Sequence, residues 1–297
     1  MSASATNPRL QGEGEILRTQ DARDLGRIED PTVQAVIYVP PVLPDWFSEL
    51  AAEVEAGRFH VPRTILPKVS YEQIKKWLVY NFPVTGDTSN LREFVTEDIL
   101  ALVDRIAAIS GASRFMLRTL TSIPNTECGF HVDTVPPAAV PWGLLRVYTG
   151  FGTAYVNPSN VTSMADFYRY LGRRERLGRE RAQARRDEDL GRCNELDERI
   201  QQLDKRLTFL RRPDEIHVAP AGSIVQFKHL DVSLHWSSHS TSLAWIHCSP
   251  MSGGPRFLVN ISPDEPVSSL SARRKYRRSD MPGSTDPNSR SNRLPLK

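Results

Sequence analysis

The chain has 297 residues, of which 39% are hydrophobic and 25% charged, and its formal net charge is +3 at pH 7. This size and composition suit one soluble domain of moderate size that carries an insertion. No apolar stretch is long enough to span a membrane and the amino terminus lacks a basic-then-apolar signal, so we expect a cytoplasmic protein. The three cysteines lack metal-binding spacing, which argues against a disulfide framework and against a zinc knuckle.

The first third of the chain combines a loose start with two helices. Residues 1–30 are polar, and we expect them to be flexible. A strand-like run begins at Val33 and leads into residues 46–55, where apolar residues recur at the spacing of an amphipathic helix. A second helix is predicted over residues 91–110, and both helices are expected to pack on a larger sheet.

Short strands separated by turn signals make up most of the remaining chain. Alternating or extended segments are found at residues 113–124, 130–133, 141–150, 153–156, 215–227, 242–247 and 256–261. The segment 215–227 contains a Pro-Ala-Gly turn that favours a hairpin, and the last two segments, joined by a Ser/Pro/Gly-rich loop, are expected to form a second hairpin between His247 and Arg256. Many short strands of this kind predict a mainly β fold with flanking helices, a jelly-roll barrel of the cupin type.

Residues 163–212 differ from the barrel segments around them. They are rich in Arg and Glu, and the apolar residues from Cys193 to Leu210 alternate at spacings of three and four. We interpret this stretch as a charged helical hairpin inserted between barrel strands. Its first arm is poor in apolar residues, so we expect the uncovered apolar seam to form a homodimer. A lid over the barrel mouth is the alternative.

The chemistry of the chain points to a triplet, His131-Val132-Asp133. Residues i and i+2 of a strand lie on the same face, so this imidazole and carboxylate can bind one ion. His247 on a distant strand supplies a second imidazole, and Arg256 follows it. Two histidines and one carboxylate leave half of an octahedral iron(II) open, which is typical of iron-dependent oxygenases.

This order of residues resembles the iron(II)/2-oxoglutarate-dependent oxygenase superfamily, whose fold is a double-stranded β-helix. The runs AVIYVPPVLPDWFSELAAEV, FHVDTVPPAAVPWGLLRVYTGFGTAYV and AWIHCSP are also similar to a bacterial family of unknown function. The superfamily resemblance implies that His131, Asp133 and His247 bind Fe(II) and that Arg256 holds the far carboxylate of the cosubstrate 2-oxoglutarate. Leu258 departs from the pattern, since that position is often Ser or Thr.

The resemblance implies an oxygenase that hydroxylates an unactivated C–H bond and releases succinate and carbon dioxide. The substrate would be a small or amino-acid-like molecule. The alternative is a non-catalytic cupin-like module that binds or senses a metal. A nucleic-acid partner is not indicated, because no binding motif appears and the aromatic residues are not interleaved with the basic tail.

Five segments follow from this interpretation. They are residues 1–30, a flexible start; 31–162, the first helices and half of the barrel; 163–212, the helical hairpin; 213–264, the other half of the barrel; and 265–297, a disordered basic tail.

Several assignments stay open at this stage. Tyr148 could donate a hydrogen bond to the cosubstrate carboxylate, and Lys228 competes with Arg256 as its anchor. His229, His235 and His239 form a local cluster, and any one of them could contact the substrate or replace His247 as the distal ligand. The second triplet, His229-Leu230-Asp231, is a chance match on our interpretation.

Overall fold

A computed structural model describes residues 14–82, 89–123, 129–232, 244–250 and 252–267. The strands are β1 (Glu15–Thr19), β2 (Val33–Tyr38), β3 (Thr64–Val69), β4 (Phe115–Ser122), β5 (Thr134–Val135), β6 (Trp142–Val147), β7 (Thr153–Tyr155), β8 (His217–Ala219), β9 (Ile224–Lys228), β10 (Leu230–Asp231), β11 (His247–Cys248) and β12 (Arg256–Pro263). The α-helices are α1 (Trp46–Glu55), α2 (Tyr71–Asn81), α3 (Ser89–Ser110), α4 (Met164–Arg186) and α5 (Leu190–Arg206).

The strands form one large sheet and two smaller ones. The large sheet has the order β1-β2-β9-β6-β12-β4-β3, and it is antiparallel except for the β1/β2 pair. A three-stranded sheet has the order β11-β7-β8, and β5 pairs with β10 in parallel. The fold therefore combines sheets with helices, which agrees with the predicted mainly β fold with flanking helices.

The large sheet is buried on both faces. One face packs against α1, α2 and α3 through residues such as Leu144, Val259 and Ile261. The other face packs against the three-stranded sheet, where Phe227 and Leu258 meet Trp245. Because side chains alternate along each strand, neighbouring residues of β6, β9 and β12 enter different cores. We call the second face the inner face.

The predicted insertion is a pair of helices, α4 and α5, that covers the outer side of the three-stranded sheet. Side chains of both helices share a core with Phe130, Val132 and Ile246. The helices are tied to each other by ion pairs such as Arg181–Asp197, 2.6 Å. Together the elements form four layers: α1–α3, the large sheet, the small sheets and the α4/α5 hairpin.

The apolar seam of the hairpin is covered by the chain itself. Leu196, Ile200 and Leu203 are all buried, with exposed fractions of 0%, 4% and 6%. The reason for expecting a homodimer, an uncovered seam, was therefore wrong, because the seam packs on the small sheet and on α4. Whether the protein associates through other surfaces stays a prediction.

The start of the chain is more ordered than its polarity suggests. Residues 15–19 form β1 at the edge of the large sheet, and Ala22–Glu29 form a 3-10 helix that Asp21 caps. Leu25 and Ile28 of this helix are fully buried. The prediction of a flexible segment over residues 1–30 was thus wrong for this part, because two apolar residues among many polar ones suffice to anchor it.

Two predicted hairpins are not formed, although their strands exist. β8 pairs with β7 whereas β9 pairs with β2 and β6, so the Pro-Ala-Gly turn carries the chain from one sheet to another. In the same way β11 pairs with β7 while β12 pairs with β4 and β6. Strands that follow each other in the chain, β8 and β9 or β11 and β12, therefore lie in different sheets on opposite sides of the interior.

Other expectations are only partly covered by the described residues. Of the predicted tail, Glu265–Val267 are described, and the Glu265 carboxylate accepts hydrogen bonds from Ser113 and Arg114. Residues 268–297 and Cys128 lie outside the described part, whereas Cys193 is half-buried and Cys248 is buried. None of the described helices has the length and apolar character needed to cross a membrane.

The packing of the hairpin can be tested at Phe209, which follows α5. Its ring is fully buried against Phe130, Phe167 and Tyr170. Phe209→Ala should lower the free energy of unfolding by about 3–5 kcal/mol in urea titrations, because it leaves a cavity between hairpin and sheet. Leu190→Ala, at an exposed position, is the control and should change it by less than about 0.5 kcal/mol. Equal, small effects would contradict the described packing.

Candidate metal centre

Residues 130–133 alternate between two sides of the small sheet. Phe130 and Val132 are buried among the side chains of α4 and α5. His131 and Asp133 therefore lie on the opposite side, toward the inner face of the large sheet. Local alternation thus divides this segment: two apolar side chains anchor it on the hairpin, and two polar ones are presented to the interior.

His131 and His247 face each other across a two-stranded bridge. The His131 backbone N–H donates to the His247 carbonyl at 2.9 Å, and the His247 N–H donates to the His131 carbonyl at 3.0 Å. In such a pair the side chains leave the backbone on the same side. Their ring centroids are 4.5 Å apart.

Backbone carbonyls determine which nitrogen each ring offers. His131 Nδ1 lies 2.8 Å from the Gly129 carbonyl oxygen, and His247 Nδ1 lies 3.0 Å from the Trp245 carbonyl oxygen. A carbonyl can only accept, so Nδ1 carries the proton in both rings. Nε2 of each ring is then the lone-pair nitrogen, the form in which histidine binds metals.

Asp133 completes the group. Its Oδ1 lies 3.6 Å from His131 Nε2. One ligand atom each from His131, Asp133 and His247 lies within 4.8 Å of the other two, the one such trio found in the described part of the chain. The arrangement offers two imidazole nitrogens and one carboxylate oxygen from one side of a shared space.

The protonation states suit metal binding. Burial, together with the nearby His131, lowers the pKa of His247 to about 3, so this ring is neutral at neutral pH. Burial opposes ionisation of Asp133, but the pull of His247 and His131 outweighs it and holds the pKa of that carboxyl below its usual range. A neutral imidazole beside a carboxylate is what a divalent cation requires.

Aromatic side chains surround His247. Trp245 stacks on its ring with centroids 4.5 Å apart and planes inclined by 13°, and Phe227 contacts it edge-on at 5.3 Å. These rings prevent His247 from rotating and keep water away from its buried side.

Arg256 begins β12 and is buried, with 5% of its surface exposed. Its Nη2 donates to the Ser249 hydroxyl at 2.7 Å. Ser249 follows His247 by two residues, so the guanidinium lies beside the chain that carries this histidine, about 7 Å along it. Arg256 also shares the inner face with Leu258, its second neighbour on β12.

Tyr148 and Lys228 lie away from this space. Tyr148 is buried on the helix side of the large sheet, where its hydroxyl donates to Asp98 of α3 at 2.6 Å. Lys228 pairs with Trp142 on the same side, and its Nζ donates to the Asp30 carbonyl. Both proposed cosubstrate contacts are therefore corrected: strand alternation directs these side chains to the opposite face from Arg256.

The histidine cluster is divided. His229 is buried on the inner face, and its ring lies over Gly143, where an added Cβ would stand 2.8 Å from its Cε1. It is not one of the three grouped ligands, although it lies close enough to Asp133 to influence that carboxyl. His235 and His239 lie outside the described residues.

Three inner-face groups near the site, Arg118, Asn260 and Ser262, were missed in the sequence. Arg118 of β4 faces Asn260 of β12, and it contributes to the electrostatics of both Asp133 and His247. Among the described residues, Arg118 Nε, Asn260 Oδ1, Ser262 Oγ and both ring nitrogens of His229 are buried without a hydrogen-bond partner. The alternation of side chains along β12 could have indicated that Asn260 and Ser262 lie on the inner face, since both are an even number of residues from Arg256. Arg118 could not be found without the register of β4.

Comparison with known proteins gives a family and distant structural likenesses. A family model described as "Protein of unknown function (DUF1826)" matches residues 19–191, more than half of the chain. No curated protein is similar enough to count as a match.

Among solved structures, the chain is similar to three distant proteins. A dioxygenase for auxin oxidation from rice has 13% identity and a TM-score of 0.37, over 86% of this chain and 84% of that one. A full-length protein from Neurospora crassa, solved in complex with alpha-KG, has 12% identity and a TM-score of 0.36, over 89% and 88%. AviO1 from Streptomyces viridochromogenes Tue57 has 12% identity and a TM-score of 0.33, over 84% and 97%. Likenesses this distant support no conclusion by themselves.

The position of Tyr148 is testable. Tyr148→Phe removes a hydrogen bond to the Asp98 carboxylate, so it should lower the free energy of unfolding by about 1–3 kcal/mol in urea. Metal affinity should stay equal to that of the parent, because the hydroxyl faces the helices. If Tyr148→Phe lowered metal affinity without lowering stability, Tyr148 would contribute to the metal centre and its position away from the centre would be contradicted.

Proposed function

The chain belongs to the family described as "Protein of unknown function (DUF1826)", and we propose that it is an iron(II)- and 2-oxoglutarate-dependent oxygenase. The observation that carries the proposal is the His131–Asp133–His247 group, with ligand atoms within 4.8 Å of one another. Two neutral imidazoles and one carboxylate on one side of an ion are the donor set of non-heme iron(II) oxygenases.

The donor set fits iron(II) better than it fits a structural zinc site, magnesium or calcium. A structural zinc site takes four protein ligands, usually with thiolates, and Cys248 instead lies buried in the outer core beside the hairpin. Magnesium and calcium prefer oxygen ligands throughout. Three ligands that include two imidazoles leave positions open for a chelating cosubstrate and a reactant.

The chain's own residues divide the work around the metal. His131, Asp133 and His247 hold it, and the carbonyls of Gly129 and Trp245 keep both rings oriented. Iron(II) with 2-oxoglutarate and molecular oxygen, when bound, would supply the oxidising chemistry: one atom of O2 enters the hydroxyl group formed at the C–H bond, and the other enters the succinate that is released with carbon dioxide. Trp245 and Phe227 exclude water from the buried side of the centre.

We assign Arg256 as the anchor for the far carboxylate of 2-oxoglutarate. It is buried, permanently charged and bonded to Ser249, two residues after His247, which supports a role as a planar donor pair beside the metal and not on it. Ser249, which accepts from Arg256, orients the guanidinium. It can replace the Ser or Thr that position 258 lacks.

The inner face beyond the metal suits a polar, anionic substrate. Arg118 supplies a charge near Asp133, and Asn260 and Ser262 present buried oxygen atoms that have no partner within the described chain. Buried polar atoms without partners are uncommon and often mark places where a ligand or water binds. A small amino-acid-like molecule would satisfy these groups together, because its carboxylate can accept from Arg118 and Ser262 and its amino group can donate to Asn260 Oδ1.

Strand order supports a double-stranded β-helix. From β4 onward the chain crosses back and forth between two sheets: β4, β6, β9 and β12 lie in the large sheet, and β7, β8 and β11 lie in the three-stranded sheet, with the His131 bridge beside β11. This alternation brings the ligands of two distant segments to one end of the space between the sheets.

The metal assignment is tested with variants of the two histidines. The parent should bind about one iron(II) per chain in anaerobic equilibrium dialysis, and His131→Ala and His247→Ala should abolish that binding, because two protein ligands do not retain the ion. Circular dichroism should show both variants folded. Retained iron in either, or loss instead in His235→Ala or His239→Ala, would contradict the assignment.

The anchor is tested by titrating 2-oxoglutarate into the iron-loaded protein without oxygen, following the weak visible charge-transfer band of the chelate. Arg256→Ala should shift the titration midpoint at least about tenfold upward, because removing one partner of a buried charged pair costs on the order of 2–5 kcal/mol. Iron binding should be retained. Arg118→Ala is the comparison and should leave the midpoint near that of the parent.

Other outcomes have definite meanings. A larger shift in Arg118→Ala than in Arg256→Ala would transfer the anchor to β4. Iron binding with no band at any 2-oxoglutarate concentration would reject the oxygenase and favour a non-catalytic metal-binding module.

A further inference from the structure

The α4/α5 hairpin reaches the metal centre through a group of three buried side chains. Tyr170 and Arg174 of α4 converge on Asp204 of α5, and the exposed fractions of the three are 2%, 8% and 7%. The Tyr170 hydroxyl donates to Asp204 Oδ1 at 2.7 Å. Arg174 donates through Nε at 2.9 Å and through Nη2 at 3.0 Å, one bond to each carboxylate oxygen.

This group holds the backbone directly before the first ligand. The Phe130 N–H donates to the Tyr170 hydroxyl oxygen at 3.3 Å. A Cβ placed on Gly129 would lie 2.1 Å from Arg174 Nε and 2.5 Å from the Tyr170 oxygen, so the hairpin presses against the bare backbone here. Glycine permits this approach, since any other residue here would displace the side chains of Arg174 and Tyr170.

The same backbone orients the ligand. The Gly129 carbonyl accepts the Nδ1 proton of His131 at 2.8 Å and so determines that Nε2 faces Asp133. Contact is therefore continuous from Asp204 through Tyr170 to Phe130 and Gly129, and from Gly129 to the His131 ring. Burial, and then Asp204, raises the pKa of Tyr170, so the phenol keeps the proton that it donates.

We propose that Tyr170, with Arg174 and Asp204, is a positioning residue for the metal ligand His131, and that the inserted hairpin serves to build the metal site. The inference rests on the proposed function in taking His131 as a ligand. A group bonded directly to a metal ligand typically changes metal affinity by about 10–100-fold. Here that group is the Gly129 carbonyl, and Tyr170 holds the N–H of Phe130 in the same peptide unit, so we expect an effect at the lower end of that range. A buried ion pair also contributes little to stability compared with apolar packing, which makes a positional role the better explanation for its presence.

Tyr170→Phe is the decisive variant, because it removes one oxygen atom and leaves the ion pair intact. Tyr148→Phe is the matched control: its hydroxyl is also buried and donates to a carboxylate, at 2.6 Å, but on the other side of the large sheet. Both variants lose a hydrogen bond from a buried hydroxyl to a carboxylate, and Tyr170→Phe also loses the bond from the Phe130 N–H. Only Tyr170→Phe should disturb the centre.

Two readouts separate positioning from general stability. In anaerobic titrations with iron(II), Tyr170→Phe should weaken binding by about tenfold, whereas Tyr148→Phe should match the parent. In the metal-free protein, imidazole nitrogen chemical shifts should show that His131 loses part of its Nδ1–H form in Tyr170→Phe and keeps it in the control. The second readout does not depend on iron, so it judges the positioning even if the protein proves not to bind iron.

Three results would overturn the proposal. Unchanged His131 nitrogen shifts in Tyr170→Phe would show that the hairpin does not orient the ring. Unchanged iron affinity in that variant, in a parent that binds iron, would show that the contact has no consequence for the site. Equal losses in Tyr148→Phe would attribute the effect to stability alone.

Discussion

The candidate site depends on the pair of backbone hydrogen bonds between His131 and His247. These two residues are separated by more than a hundred positions in the chain, and the bridge brings their side chains to the same side of the sheet. Each ring then bonds the carbonyl two residues before it, so the backbone that forms the bridge also selects the nitrogen that faces the interior. Without these two hydrogen bonds, His247 would not be held beside His131, and Asp133 would have only one imidazole next to it.

The layers around the bridge give it rigidity from both sides. On the inner side, Trp245 and Phe227 pack on the His247 ring. On the outer side, Phe130 and Val132 enter the core of the helical hairpin. The strand segment of the first ligand is short and carries little regular pairing of its own, so the hairpin supplies the support that a longer sheet would otherwise give.

Local sequence patterns predicted the helices that pack by one face and the strands that alternate. α1 covers the predicted residues 46–55, and α3 and β4 agree closely with their predictions. α2 was missed although Ser70 and Gln73 form a capping box, a readable signal at its start. β1 was missed because its pairing with β2 is visible only in the fold.

Local sequence patterns could not show which strands pair or toward which face of the sheet a side chain points. The two supposed hairpins fail because turn residues permit a hairpin but do not determine which strands pair. Tyr148 was assigned to the site and Lys228 was considered as a competing anchor, although strand alternation directs both side chains toward the helices. Arg118 was overlooked because its position becomes visible only from the pairing of β4 with β12, where it lies opposite Asn260. The nearness of His131 and Asp133 was predictable, since an i, i+2 pair carries its geometry in its spacing, and the structure brings His247 beside them.

An anaerobic crystal structure of the protein with iron(II) and 2-oxoglutarate tests the central claim most directly. We expect an ion bonded to Nε2 of His131, Nε2 of His247 and one oxygen of Asp133. We also expect the far carboxylate of the 2-oxo acid to lie on the guanidinium of Arg256. An ion bound elsewhere, or through Nδ1 of either histidine, would contradict the site, and a 2-oxo acid directed away from Arg256 would contradict the anchor.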